Sequence, residues 1–338
     1  MRKARAWSPL VWTSLLVLCL VMFGCGRDEE SNCVISVRAG DPLQTAIDRA
    51  DAGAILCLAD GTWSENIVIA KPLTLRGAPE GHAILRGVDD GYPVVLIEVS
   101  NEGELPVVVL ENLQILDAQG GTCAEFSLRE NREICPYGVL IVGRADVRVL
   151  SCTVSGSRTG IAAVGSAKLS VSNSTVTNND WEGIYVVGAS EGTIVDSQLR
   201  ENGSAGIGAA ATAVVTVRGC VIENNTGDGV AVADYAQVAM TDCVISGNGW
   251  SGVKMISAAD VTVESCRIED NTHFGIAPLS GACYPDEPDY VGNVRGRDNW
   301  IPEPGEPGGN AGGALCPAYP EKPWPDGFLS DKPPSTDS

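Results

Sequence analysis

The sequence predicts an all-β solenoid, a coil of short parallel strands in which every turn lies on the one before it. Three observations predict it. First, the phrase apolar-x-x-(Cys/Ser)-x-apolar recurs between Val149 and Ile276, at Cys152, Ser174, Ser197, Cys220, Cys243 and Cys266, with one spacing of 22 residues and then 23 throughout. A period in this range marks a solenoid. Second, the last five copies carry an asparagine five residues on (Asn179, Asn202, Asn225, Asn248, Asn271) and, four residues later, Gly183, Gly206, Gly229, Gly252 or Gly275 followed by Ile or Val. The first copy has Ser157 and Gly160 in their place. Third, each copy consists of short Val, Ile and Thr runs broken by Asn and Gly, without ten residues at helical spacing and without dense leucines. Helical and leucine-rich repeats are thereby excluded.

Stacked turns lie roughly 4.8 Å apart, so equivalent residues form columns. An asparagine column at a sharp turn can bond its amides along the stack, and glycine just after it permits backbone angles that other residues resist. The Cys/Ser column lies between apolar positions and is expected to point inward. Aromatics make up only 5% of the 338 residues against 44% hydrophobic in all. A thin interior takes Val, Ile, Ala and Cys more readily than Phe.

Residues 1–25 comprise a basic tip (Arg2, Lys3, Arg5), an apolar run from Leu10 to Phe23, and Gly24-Cys25. They read as a secretory leader, too short for a secure membrane span. The Gly-Cys end before Gly26 and charged residues resembles a bacterial lipoprotein signal, which makes Cys25 the lipidated residue. Met22 and Phe23 depart from the usual pattern there. A linker over 26–33 follows. The formal charge is −20, and loss of the three basic leader residues (−20 − 3) makes it −23. Nucleic acid is excluded as a partner, and so is unaided binding to anionic polysaccharide or membrane surfaces. Calcium is the one cofactor kept open, because it can bridge carboxylates. Membrane contact is expected only through the lipid on Cys25, and the chain is expected to be a monomer.

Residues 34–78 form the opening. Asp41-Pro42 precedes an amphipathic segment with Leu43, Ala46, Ile47 and Ala50 on one face, which predicts a single short helix. Strands are expected at Ala54–Leu58, Trp63–Ile69 and Pro72–Gly77. From 79 to 301 the coil continues, regular over 149–276, with Leu113 where the Cys/Ser column begins and with an insertion over 119–136. Val291, Val294 and Asn299–Ile301 are expected to make a last degenerate rung. Residues 302–338, rich in Pro and Gly, are expected to form a loop that caps the open end and a disordered tail from about Lys322. Six of the twelve cysteines suit disulfides of an oxidising compartment, as Cys33–Cys57, Cys123–Cys135 and Cys283–Cys316, with the pairing left open by sequence. The four cysteines of the inward column are expected to be buried thiols.

The predicted helix, then Leu58-x-x-Gly61-Thr62-Trp63-x-Glu65-x-Ile67, then Lys71-Pro-Leu-Thr-Leu-x-Gly77, resembles the opening of right-handed parallel β-helix proteins of the pectate-lyase-like superfamily. With the repeats, the resemblance covers about residues 34–301. It implies that the helix caps the apolar channel, with Leu43, Ile47 and Trp63 as cap and core and the Gly61–Glu65 segment as a structural turn. The superfamily holds pectate lyases, pectin methylesterases, polygalacturonases, alginate-acting enzymes and envelope proteins of unassigned role. Their motifs are missing here: no Gly-His-Gly, no Trp-x-Asp-His, no Arg-x-Pro-x-x-Arg, no Gly-Arg-Pro-Trp, no Asp-Pro-His, and only two histidines, His82 and His273.

Function is therefore sought in the irregular columns. Before the Gly-Ile step the last five repeats offer Trp181, Ser204, Gly227, Trp250 and His273, and just after it Tyr185, Gly208, Ala231, Lys254 and Ala277. Glu182 and Asp228 lie beside them. Trp181, Tyr185, Trp250, Lys254 and His273 thus share one flank around a small floor and can seat an extended sugar chain on aromatic faces. A tryptophan at a turn is otherwise commonly packed over the next loop, and a single lysine is commonly solvated. The expected function is binding of an extended carbohydrate or envelope component by an exported, cell-envelope protein, either lipid-anchored at the outer membrane or periplasmic or extracellular. One alternative is a polysaccharide lyase or epimerase with Lys254 or His273 as base and Asp228 or Glu182 as calcium or charge partner. Another is a structural or adhesive rod.

Overall fold

The computed structural model describes residues 33–88, 91–99, 105–118, 124–127, 132–278, 292–316, 324–330 and 332. Met1–Cys33 forms a unit of its own, of which only Cys33 is described, and the leader with Cys25 lies outside the described residues. From Val34 onward the described residues form a parallel β-solenoid of about ten turns with three parallel sheets and, among those residues, one short helix. The sheets hold eleven, ten and nine strands and run from Ile35–Val37 to Asn293–Arg297, from Ile67–Ile69 to Gly313–Leu315, and from Gly61–Ser64 to Arg267–Glu269. In the regular part each residue pairs with the one 23 positions on, as Ile184 with Ile207 and Ile207 with Val230.

Within a turn, strands alternate buried and exposed residues, as in Val214–Arg218, where Val215 and Val217 face the interior. Valine and isoleucine suit this pleated, half-buried setting. The Cys/Ser column does point inward, and backbone bonds place Leu113 at its start: the N–H of Thr153 donates to Leu113 and that of Thr175 to Cys152. Cys152, Cys220, Cys243 and Cys266 are free and buried. Burial pushes the Cys152 thiol up to about 12, which keeps it protonated and apolar. Where serine replaces cysteine it works as a hydrogen-bonder: Ser174 Oγ accepts the N–H of Cys152 at 3.1 Å and donates to Ser172 at 2.8 Å.

The asparagine column forms a continuous ladder. Asn179 Nδ2 donates to Asn202 Oδ1 at 2.9 Å, and the same step repeats through Asn225, Asn248 and Asn271 to Asn310, which the 23-residue spacing did not reveal. Each receiving oxygen also takes the backbone N–H of the rung before, as from Asn202 to Asn225 at 3.1 Å. The glycines that follow are needed for a different reason than expected. They do not have positive φ; a Cβ on Gly229 would instead lie 2.6 Å from the Gly252 carbonyl oxygen and 2.5 Å from Ile245 Cγ2. The left-handed residues stand elsewhere, in one column per corner. Asn173, Asp196, Gly219 and Asp242 precede the Cys/Ser column; Asn178, Glu201, Asn224 and Gly247 precede the asparagines; Gly188, Ala211, Asp234 and Ser257 turn the third corner. Asn, Asp and Gly tolerate that region best, which accounts for most of these identities.

Both ends are closed. The helix Leu43–Arg49 buries Leu43 and Ile47, and Trp63 lies beneath, buried. Glu65 caps it from the bend between two strands, accepting the N–H groups of Leu43 and Gln44 at 2.9 and 3.1 Å, and Lys71 Nζ donates to the carbonyls of Asp48 and Ala50 at the other end. Gln44 pairs with both backbone groups of Val68, which covers part of the first open edge. At the far end Val291 lies outside the described residues, while Val294, within Asn293–Arg297, and Asn299–Ile301 stand on the last rung, and the turn continues to Gly313–Leu315. The disordered tail expected from about Lys322 does not hold for residues 324–330. Phe328 is buried against the last turn, 5.2 Å from the ring of Trp324, and the N–H groups of Asp298 and Asn299 donate to Gly327 and Phe328. Two aromatics in a Pro/Gly-rich run are enough to seal a narrow core.

Inside the 119–136 insertion, Ala124–Ser127 pairs antiparallel with Arg132–Ile134. Cys33, Cys57, Cys135 and Cys316 are disulfide-bonded, whereas Cys123 and Cys283 lie outside the described residues.

Candidate functional site

Two adjacent ladders build the flank. Along the turns, successive backbone N–H groups of Trp181, Ser204, Gly227, Trp250 and His273 donate to the carbonyls of Arg158, Trp181, Ser204, Gly227 and Trp250, so these residues stand in one column. In the sheet beside it Tyr185 pairs with Gly208, Gly208 with Ala231, Ala231 with Lys254 and Lys254 with Ala277. A third column lies between them and contains Glu182, Ala205, Asp228 and Ser251, as the glycine N–H donations to Glu182, Ala205, Asp228 and Ser251 show.

Where these columns carry small residues, a cleft opens. It has a volume of about 310 Å³, with Gly208, Ala231, Ala205 and Gly227 as its floor, Tyr185 and Glu182 at one end, and Asp228, Trp250 and Lys254 at the other. Tyr185 and Lys254 are three rungs apart, roughly 14 Å. The floor cannot be enlarged freely, since a Cβ on Gly208 would lie 2.9 Å from the Tyr185 ring. Glu182, Tyr185, Asp228, Trp250 and Lys254 are thereby brought together. Trp181 and His273 are on the same column but do not line the cleft. Trp181 is 50% exposed with the Arg158 guanidinium 4.0 Å above its ring, and His273 stacks behind Trp250 at 5.5 Å with 17° between the planes. Trp250 is 44% exposed, so neither tryptophan belongs to the core.

The polar groups hold one another in place. Lys254 Nζ lies 4.6 Å over the Trp250 ring, a cation–π geometry that fixes both walls. Asp228 is buried and accepts the N–H of Ser251 at 2.9 Å. Burial raises its pKa to about 6, against the opposing pull of Lys254 and of that N–H. Glu182 accepts from Thr159 Oγ1 at 3.3 Å. The Tyr185 hydroxyl is raised by burial and by the charges of Glu182, Tyr137 and Asp234. Among the described residues no cluster of three or more His, Cys, Asp or Glu side chains is placed to hold a metal ion.

Of the residues singled out in the sequence, Glu182, Tyr185, Gly208, Asp228, Ala231, Trp250 and Lys254 fall in the cleft lining, whereas Ala205 was not singled out. Sequence reasoning missed Arg158, because the first copy is one residue shorter and was not aligned with the other five. It also missed Tyr235, 70% exposed at the corner that follows the lining residue Ala233. The aspartate before it, a residue type that tolerates the left-handed backbone Asp234 adopts, was the available signal.

Residues 137–286 match the family model described as a right handed beta helix region. No curated protein matches the chain by sequence. Among solved structures it is similar to ORF18 of Geobacillus virus E2, at 15% identity and TM-score 0.53, covering 80% of this chain and 62% of that one. The chain therefore spans less than two thirds of that relative. The Azotobacter vinelandii mannuronan C-5 epimerase AlgE4 A-module is also similar, at 19% identity and TM-score 0.49 over 80% and 84% of the two chains. Pectate lyase Pel9A gives 16% and 0.46 over 80% and 67%. At such identities the likeness is one of fold.

Proposed function

We propose that the protein is an exported right-handed β-helix that binds an extended glycan along its flank, in the cleft between Tyr185 and Lys254. The observation that carries this reading is an exposed aromatic wall beside a floor of glycine and alanine. Sugar rings present apolar faces and polar rims, and aromatic side chains set beside small residues offer a stacking face with room for the ring. Carboxylates and an ammonium at the cleft ends supply partners for hydroxyl groups. Disulfide-bonded cysteines fit export to an oxidising compartment, with Cys25 as the proposed anchor and Cys33–Cys57, Cys123–Cys135 and Cys283–Cys316 as the proposed pairs.

Titration calorimetry against a panel of oligosaccharides tests the reading, with reaction products followed in parallel. Trp250→Ala is expected to weaken binding by about 1–2 kcal/mol, roughly tenfold, and Trp181→Ala by less, because only Trp250 lines the cleft. Both are expected to leave thermal melting nearly unchanged, since both rings are exposed. Equal affinities for wild type and Trp250→Ala would remove the basis for the reading, and turnover of a bound glycan would replace binding with catalysis.

A further inference from the structure

We propose that this cleft selects glycans carrying free amino groups and rejects uronates; the proposal rests on the glycan-binding reading of the same site. The sign of the charge around the floor is the starting point. Glu182 and Asp228 line the cleft, and the charge of Asp234 reaches Tyr185 from the adjoining corner. Against these carboxylates the lining supplies the ammonium of Lys254, which already lies over the Trp250 ring and faces Asp228. The Arg158 guanidinium stands outside the lining, on Trp181. The whole chain carries −20, so no distant excess of positive charge offsets the local field.

A uronate chain brings one carboxylate per ring into this setting. Carboxylates only accept hydrogen bonds, so Glu182 and Asp228 would gain no donor and would meet like charge as water leaves. An ammonium on a sugar ring reverses both terms and donates charge-assisted bonds. The spacing fits as well. Glu182 and Asp228 stand two rungs apart in one column, about 9.6 Å, close to the length of two pyranose rings in an extended chain. Amino groups on alternate rings would then meet successive carboxylates while the ring between them lies over the alanine and glycine floor.

The test is calorimetric titration of the full chain with glucosamine hexamer, N-acetylglucosamine hexamer and hexagalacturonate, at a pH above about 6, where Asp228 is ionised and the amines still carry protons, at low and physiological salt, and with and without millimolar calcium. The glucosamine hexamer is expected to bind roughly tenfold tighter than its N-acetyl counterpart, to lose most of that advantage with added salt, and hexagalacturonate to give no binding. Glu182→Gln, which retains the acceptor for Thr159, is expected to close most of the gap between the two glucosamine-based hexamers with an unchanged melting midpoint. Equal or tighter binding of the N-acetyl hexamer, or binding of hexagalacturonate with or without calcium, overturns the proposed selectivity and leaves the glycan reading standing. Silence from all three hexamers overturns the proposed selectivity, and silence across the whole oligosaccharide panel overturns the glycan reading with it.

Discussion

Asp228 is the residue at which the repeat gives up regularity for chemistry. Its neighbours in the same column are Ala205 and Ser251, yet here a carboxyl is buried beside Lys254. With a folded pKa of about 6 against 3.8 in the unfolded chain, the folded state binds the proton more tightly. The sign follows: the contribution of Asp228 to stability is full below the unfolded value, is lost as pH rises between the two, and is absent above the folded value. The fall amounts to roughly 3 kcal/mol for a shift of this size. Asp228→Asn keeps an acceptor for the N–H of Ser251 and is expected to abolish that fall. Urea midpoints at low and neutral pH check it: the variant should gain on the wild type only above the window. A variant that tracks the wild type at both pH values would mean that Asp228 is effectively solvated.

At the scale of the element, the 23-residue turn was legible because its columns repeat, and what the columns do was legible in part. Cys152 to Cys266 and Asn179 to Asn271 were assigned to the interior stack and to the amide ladder, and both are there. The glycine column was also found, but its cause was placed in the backbone angle when it lies in close approach, since a one-letter repeat does not tell a missing Cβ from a left-handed φ. The two causes are separable by mutation. Gly143 has φ of +80° with nothing near its absent Cβ, while Gly229 has an ordinary φ and is closed in by Gly252, Ile245 and Asn248. Gly143→Ala is expected to cost about 1 kcal/mol of left-handed strain, and Gly229→Ala about 3 kcal/mol of overpacking that forces two turns apart. Equilibrium denaturation of the pair checks the order, and a Gly143 variant at least as damaging as the Gly229 variant would refute the distinction. The cleft was less legible for a related reason. Its walls are single exceptions at Tyr185, Trp250 and Lys254, and whether exceptions meet depends on which columns adjoin.

For the whole molecule, a solenoid is a stack whose turns contact only their neighbours, so its stability is decided locally and its ends are its weak points. The first end is sealed by a helix that buries its own Leu43 and Ile47, with Trp63 also buried at that end, and that is tied down by Glu65 and Lys71. The other depends on a segment whose composition reads as a polar tail. Phe328 is buried on the last turn and Gly327–Ser330 bonds to Asp298 and Asn299, so the segment covers core and strand edge together. Removal of residues 324–338 would expose both to water, an apolar end face framed by unpaired backbone groups that another copy can meet. The truncated chain is expected to lose hydrogen-exchange protection first over Asn293–Arg297 and Gly313–Leu315, to keep it across the asparagine ladder from Asn179 to Asn248, and to self-associate in light scattering. Phe328→Ala in the full chain should reproduce the loss of protection, at a cost of about 3 kcal/mol to the end turn, without the association, because the strand pairing of Asn299 with Leu329 remains. Unchanged protection at both strands would show that the last turn holds without its cover, and uniform loss along the ladder would show that the stack melts as one unit instead of fraying from this end.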